Sequence, residues 1–127
     1  MAIYAQSSGS QYTNSASFVA IPGLTVSIPE GVGTAALVIL NVPNPYATGN
    51  NTPGGTFGIS VNSTVSPVQA TFTYNEVAPT NTGRIPTTLV VSVPLINAAQ
   101  TVTAMWFGVR GSTVHIDTPA TLSAILT

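Results

Sequence analysis

Short runs of β-branched and aromatic residues alternate with clusters of Gly, Pro and Asn along the whole chain, a pattern that predicts strands rather than helices. Leu89, Val91 and Val93 alternate with Thr88, Val90 and Ser92, and Phe57, Ile59 and Val61 alternate with Gly58 and Ser60. Period two marks a strand with one face in a core. The same reading places strands over Ala16–Pro22, Leu24–Ile28, Thr34–Val42, Thr56–Val61, Val68–Asn75, Thr87–Val93, Thr101–Val109, Thr113–Ile116 and Thr121–Leu126. Thr34–Val42 is apolar at nearly every position and is expected to be covered on both faces, inside a sandwich or, the preferred reading, against another subunit. The segments Asn41–Gly55 and Ala78–Arg84 are dense in turn formers and predict two loops, where binding side chains concentrate.

Composition supports the same class. Hydrophobic residues make up 44% of the 127 residues and charged residues 4%, against a usual share of about a quarter, so a packed domain with a neutral surface is expected. Much of the polarity lies in 19 Thr, and Thr suits pleated strands. No repeat, linker or shift in composition divides the chain, so residues 1–127 are read as one domain.

Charge and motif content exclude most chemistry. With a net charge of −1, no Lys and no basic run, nucleic acid is not an expected partner. The longest apolar run, Ala35–Leu40, falls well short of the roughly 20 residues of a membrane span. The N-terminal MAIYAQSSGS has no Sec-leader pattern, so a soluble protein is expected. Absence of Cys removes thiolate ligands and nucleophiles. No metal or cofactor is expected: a single His cannot close a zinc site, and Glu30, Glu76 and Asp117 are too scattered for a calcium cage, even with the Asn50 and Asn51 amides. Nor is an enzyme expected. Glu30 and Glu76 do not pair as glycosidase carboxylates, and His115-Ile-Asp117, which would share a strand face, lacks a G-x-S-x-G nucleophile. The i, i+2 His and Asp are expected to form a local hydrogen bond instead. Asn50-Asn51-Thr52 and Asn62-Ser63-Thr64 match the glycosylation pattern but read as turns.

Two cations remain, Arg84 and Arg110, in Asn81-Thr-Gly-Arg84 and Val109-Arg-Gly-Ser112. In so neutral a chain an Arg serves either one salt bridge or a planar fork that captures ligand oxygens. Both readings stand, because Arg110 could pair with Asp117 and Arg84 with Glu76. Tyr46 and Tyr74 favour the second: a site of Arg, Thr and Asn donors beside an aromatic ring complements a sugar, which carries hydroxyls on one side and C–H groups on another.

Val38-Ile-Leu-Asn-Val-Pro-Asn-Pro-Tyr-Ala-Thr-Gly-Asn-Asn51 closely resembles the bacterial TNF-like fucose-binding lectin domains found at the N-terminus of a two-domain superlectin. Phe72-Thr-Tyr74, Thr82-Gly-Arg-Ile-Pro86, Val109-Arg-Gly-Ser112, His115-Ile-Asp117 and Leu122-Ser-Ala-Ile125 are similar to that family's segments in the same order. The likeness spans most of residues 36–126 and is weaker before residue 30 and between Ser60 and Val68.

This resemblance implies an all-β, TNF/C1q-like jelly-roll sandwich assembled as a homotrimer. It also implies calcium-independent sites between subunits for fucosylated glycans of blood-group or Lewis type. By the same resemblance the sugar is held by Arg84, Arg110, Thr82, Thr73, Tyr74 and Tyr46, with His115 and Asp117 near the site. Thr56 stands where the family has a Tyr, and Asn81 where it has a Ser. The alternative is a structural or receptor-engaging TNF/C1q-like trimer that binds no sugar.

Overall fold

The computed structural model describes residues 1–127 as twelve strands without a helix. In chain order these are β1 (Ala2–Gln6), β2 (Gln11–Thr13), β3 (Val19–Ile28), β4 (Ala35–Val42), β5 (Tyr46–Thr48) and β6 (Gly54–Val61). Then follow β7 (Thr64–Val65), β8 (Ala70–Thr73), β9 (Thr87–Pro94), β10 (Gln100–Val109), β11 (Thr113–Ile116) and β12 (Thr121–Leu126).

The long strands pair in nested order, all antiparallel: β1 with β12, β3 with β10, β4 with β9 and β6 with β8. Nesting of this kind is one long hairpin rolled up. Contacts of β12 with β4 and of β10 with β6 then join the four pairs into two sheets, β1-β12-β4-β9 and β3-β10-β6-β8, which is a jelly-roll sandwich. Between the sheets lies a core of 24 apolar residues, in which Trp106, Phe57, Leu40, Ile59 and Leu122 are fully buried. Burying each such side chain stabilises the fold by about 1.5–3 kcal/mol.

Alternation explains the register. In β9 Leu89, Val91 and Val93 point inward, and in β10 Val102, Ala104 and Trp106 do. β6 is buried on both faces: Phe57 and Ile59 face the core, while Phe18, edge-on to Phe107 at 4.7 Å, roofs Gly58. A Cβ at Gly58 would lie 2.9 Å from the Phe18 ring, so that strand passes too close for any side chain. β7 returns on β6 through Asn62-Ser63, both with positive φ (49° and 71°), a two-residue hairpin turn of primed type.

Several elements differ from the sequence reading. The expected strands Ala16–Pro22 and Leu24–Ile28 are one strand, β3; its inward positions slip from Ile21 to Leu24 across Gly23 (φ +86°), and the pairing with β10 shifts register between Thr103 and Met105. A bulge of this kind breaks the alternation that periodicity relies on. Val68–Asn75 contracts to β8. β1 and the short strands β2, β5 and β7 are additional. Within the chain β4 is covered on one face only: Ala36, Val38, Leu40 and Val42 enter the core, whereas Leu37 is exposed and Ile39 half-exposed, so of the two expected ways of covering both faces, burial inside the sandwich does not hold.

A third, small sheet of order β2-β11-β5 lies against β6 and β10. It positions the candidate site.

Candidate functional site

The Asn41–Gly55 and Ala78–Arg84 segments are strapped to each other by hydrogen bonds. The Tyr74 hydroxyl donates to the Gly83 carbonyl (2.7 Å) and accepts from the Ala47 N–H (3.2 Å). Ile85 N–H donates to the Pro45 carbonyl, Thr52 N–H to that of Val77, and Tyr74 N–H to that of Pro53. Tyr74 is thus a buttress between the two segments. Its burial holds the phenol above its ordinary pKa of 10.0, against the opposing pull of the Ala47 bond and the Arg84 charge, so it stays a neutral donor.

This strapping sets Arg84 over the Tyr46 ring, with the guanidinium carbon 4.1 Å from the centroid. The guanidinium also meets Asp117 fork to fork, Nη1 donating to Oδ1 (2.9 Å) and Nη2 to Oδ2 (2.7 Å), while Nη1 donates further to the Asn44 carbonyl (3.2 Å). Arg carries five N–H bonds. The bonds made here consume both Nη1 hydrogens and one on Nη2, which leaves Nε–H and the second Nη2–H side by side on the other edge. The ion pair is partly exposed, with side chains 42% and 37% accessible, so it contributes at most about 1 kcal/mol to stability. It orients rather than stabilises.

On the far side of Tyr46 lies His115, its ring parallel to within 7° at 4.6 Å. His115 Nε2 is 3.0 Å from Thr48 Oγ1. Burial, reinforced by the Arg84 charge and opposed by Asp117, holds the imidazole below its ordinary pKa of 6.5.

Arg110 occupies a different place. It sits at the turn between β10 and β11 with φ +52°, a backbone region uncommon for a residue with a side chain. Its Nε donates to the carbonyls of Asn51 (3.1 Å) and Thr52 (3.0 Å), and Nη2 donates to Thr52 as well. One edge of Arg110 thereby pins the end of the Asn41–Gly55 segment, and the opposite edge, Nη1 and the remaining Nη2–H, stays open.

Of the residues expected at the site, the fold brings together Arg84, Tyr46, Tyr74, His115 and Asp117. Arg110 forms a separate cluster with Asn51 and Thr52, and no contact within the chain joins the two cations. Asn81 and Thr73 are exposed and Thr82 half-exposed, on the same two segments. Thr56 is 3% accessible, with its hydroxyl 2.8 Å from that of Thr71.

Of the ion pairs the sequence left open, Arg110 with Asp117 and Arg84 with Glu76, neither forms; Arg84 pairs with Asp117 instead. Nor do His115 and Asp117 bond to each other: β11 ends at Ile116, and Asp117 turns toward Arg84. Sequence reasoning passed over Asn44, Thr48 and Gly83, whose backbone or hydroxyl groups fasten the site. No local motif marks them. No three His, Asp or Glu side chains converge in a metal-binding cluster, and no helix is long and apolar enough to cross a membrane.

The family described as Bc2l-C, N-terminal domain, matches residues 4–125. The chain belongs to that family. No curated protein matches this Bc2l-C N-terminal-type domain in sequence. Among solved structures it is similar in fold to part of dimeric latent PorU from Porphyromonas gingivalis, with a TM-score of 0.57 and 12% identity over 97% of this chain. The chain spans only 12% of PorU's length. Weaker likenesses include the CBM36-1 domain of a multidomain xylanase from the hindgut metagenome of Trinervitermes trinervoides (TM-score 0.49, 14% identity, 100% of this chain and 98% of that one). Eiger TNF from S. frugiperda gives a TM-score of 0.40 at 8% identity over 99% of this chain and 92% of its own.

Proposed function

We propose that this protein is a non-enzymatic lectin whose homotrimer binds terminal fucose of blood-group or Lewis-type glycans at sites between subunits, without calcium. The observation that carries the reading is the open edge of Arg84. A guanidinium clamped on one edge by Asp117 and Asn44 and laid over Tyr46 presents two parallel N–H bonds at a fixed angle, which fits two adjacent sugar oxygens. Its cost in conformational entropy is already met by the clamp, and that preorganisation favours affinity. Membership of the Bc2l-C N-terminal family supports carbohydrate binding, and the sequence resemblance suggests fucose as the sugar.

In this reading Thr82, Asn81 and Thr73 line the rim with neutral donors and acceptors, Tyr74 provides apolar ring surface, and Tyr46, held between Arg84 and His115, supports the guanidinium from beneath. Thr56, sealed against Thr71, contributes shape only. Arg110, whose free edge is not engaged within its own chain, completes the pocket of the next subunit.

Two surfaces support assembly. The outward face of the β1-β12-β4-β9 sheet carries Tyr4, Leu37, Ile39, Val90 and Ile125 and no charged residue along its rungs. At the open edge between β9 and β7 lies a second apolar surface, a cleft of about 360 Å³ lined by Val61, Val65, Val91, Val93 and Ile96. Two dissimilar apolar patches on one chain suit head-to-tail contacts that close into a ring, and the resemblance sets that ring at three. Three weak sites then act together on a glycan-coated surface.

The ion pair of Arg84 with Asp117 favours a second reading, a TNF/C1q-like trimer that keeps the pair for structure alone. Glycan-array binding with free fucose as competitor decides between them. Fucoside-selective binding that fucose abolishes supports the lectin; an intact trimer with no response to any glycan supports the structural protein.

A further inference from the structure

Strand β2 carries a ring that neither the resemblance nor the proposed function uses. Tyr12 pairs with His115 across β2 and β11, and His115 pairs with Tyr46 across β11 and β5, so three rings stand on one rung of the small sheet. Seen from Arg84, the row runs guanidinium, Tyr46, His115, Tyr12.

Tyr46 and His115 stack tightly, but Tyr12 stands off. Its centroid is 6.0 Å from that of His115 with the planes 34° apart. It is 70% accessible, and its hydroxyl makes no hydrogen bond. Such exposure is unusual for a large ring within a paired strand, since an aromatic side chain is ordinarily buried against neighbours. The backbone beneath it is nevertheless held firmly. Gln11 Nε2 donates to the carbonyls of Ser8 and Pro22, and Ser15 N–H donates to Thr13 Oγ1. An exposed Tyr on a fixed strand offers apolar area at low entropic cost, the property that makes Tyr frequent in binding surfaces. His115 has its Nε2 engaged by Thr48, which leaves Nδ1 for a ligand hydroxyl.

We infer that Tyr12 is the outer wall of an extended saccharide subsite: its open ring face takes the apolar C–H face of a sugar further along the oligosaccharide whose terminal residue sits at Arg84. This rests on the proposed function. It adds that the protein distinguishes an extended chain from a lone terminal sugar, and that Tyr12 rather than either Arg sets the difference.

The test is titration calorimetry of the intact wild type, Tyr12→Ala and Tyr12→Phe with methyl α-fucoside and with a fucosylated trisaccharide. Tyr12→Ala is expected to weaken the trisaccharide about two- to tenfold, the range of a single aromatic contact, and to leave the methyl fucoside unchanged. Tyr12→Phe, which keeps the ring, is expected to retain trisaccharide affinity. Equal effects of Tyr12→Ala on both ligands, or none on the trisaccharide, would overturn the subsite while the fucose site stood. A wild type that binds neither ligand would overturn the lectin reading and the subsite with it.

Discussion

Arg84 and Asp117 meet fork to fork, Nη1 to Oδ1 at 2.9 Å and Nη2 to Oδ2 at 2.7 Å, although neither side chain is buried. A pair so exposed is nearly neutral for folding. Asp117→Asn should therefore change the urea midpoint by less than about 1 kcal/mol equivalent. It should weaken fucoside binding several-fold, because one arm of the clamp that aims Arg84 is lost. Urea unfolding measures the first, and calorimetry with methyl α-fucoside on the folded variant measures the second.

The His115 imidazole gives a pH signature. Facing it are Arg84, which disfavours its protonation, and Asp117, which favours it, with Tyr46 and Tyr12 on either side. The folded chain binds the proton less readily than the unfolded chain, whose His titrates near 6.5. Stability from this group is thus complete above that value and is lost as pH falls from it through the lower folded value. The melting temperature should drop between pH 7.5 and 5.5, a window above the ordinary carboxylate range. His115→Gln should flatten the drop.

Subunit contact through the outer face of the β1-β12-β4-β9 sheet makes a third expectation. Leu37→Glu or Val90→Glu puts an unpaired charge into that uncharged face, which costs little in a monomer and several kcal/mol in a buried interface. Light scattering should show a monomer. Fucoside binding should vanish with the trimer while circular dichroism keeps its β signal.

Close packing over β6 makes a fourth. Gly58→Ala brings a methyl to 2.9 Å from the Phe18 ring, which must then leave its edge-on contact with Phe107. A loss of about 1–3 kcal/mol in urea unfolding is expected.

Much of the sandwich was legible from residue order. β9 and β6 carry the alternation that reads as a strand, β10 and β12 fall within runs read as strands and alternate in burial, and the Asn41–Gly55 and Ala78–Arg84 segments carry the turn residues of loops. β2, β5 and β7 were not legible, because two or three residues are too few to show a period. The bulge at Gly23 hid the continuity of β3 for a related reason: one slipped position reverses every face after it. At the site, residue type marked both cations and both tyrosines, but not their partners. Arg84 meets Asp117 only because β11 ends beside the Arg84 loop, a tertiary fact that spacing does not encode. Tyr12 lay within a short polar segment, and it gains meaning only once β2, β11 and β5 are in register.

Substitution at Arg84, read by calorimetry with methyl α-fucoside, tests most directly whether its open edge holds the sugar. Wild type should bind, Arg84→Ala should lose binding beyond detection, and Arg84→Lys, a point charge without a planar fork, should recover little of it. Undiminished binding by Arg84→Ala, or no fucoside binding by the wild-type assembly, would contradict the account.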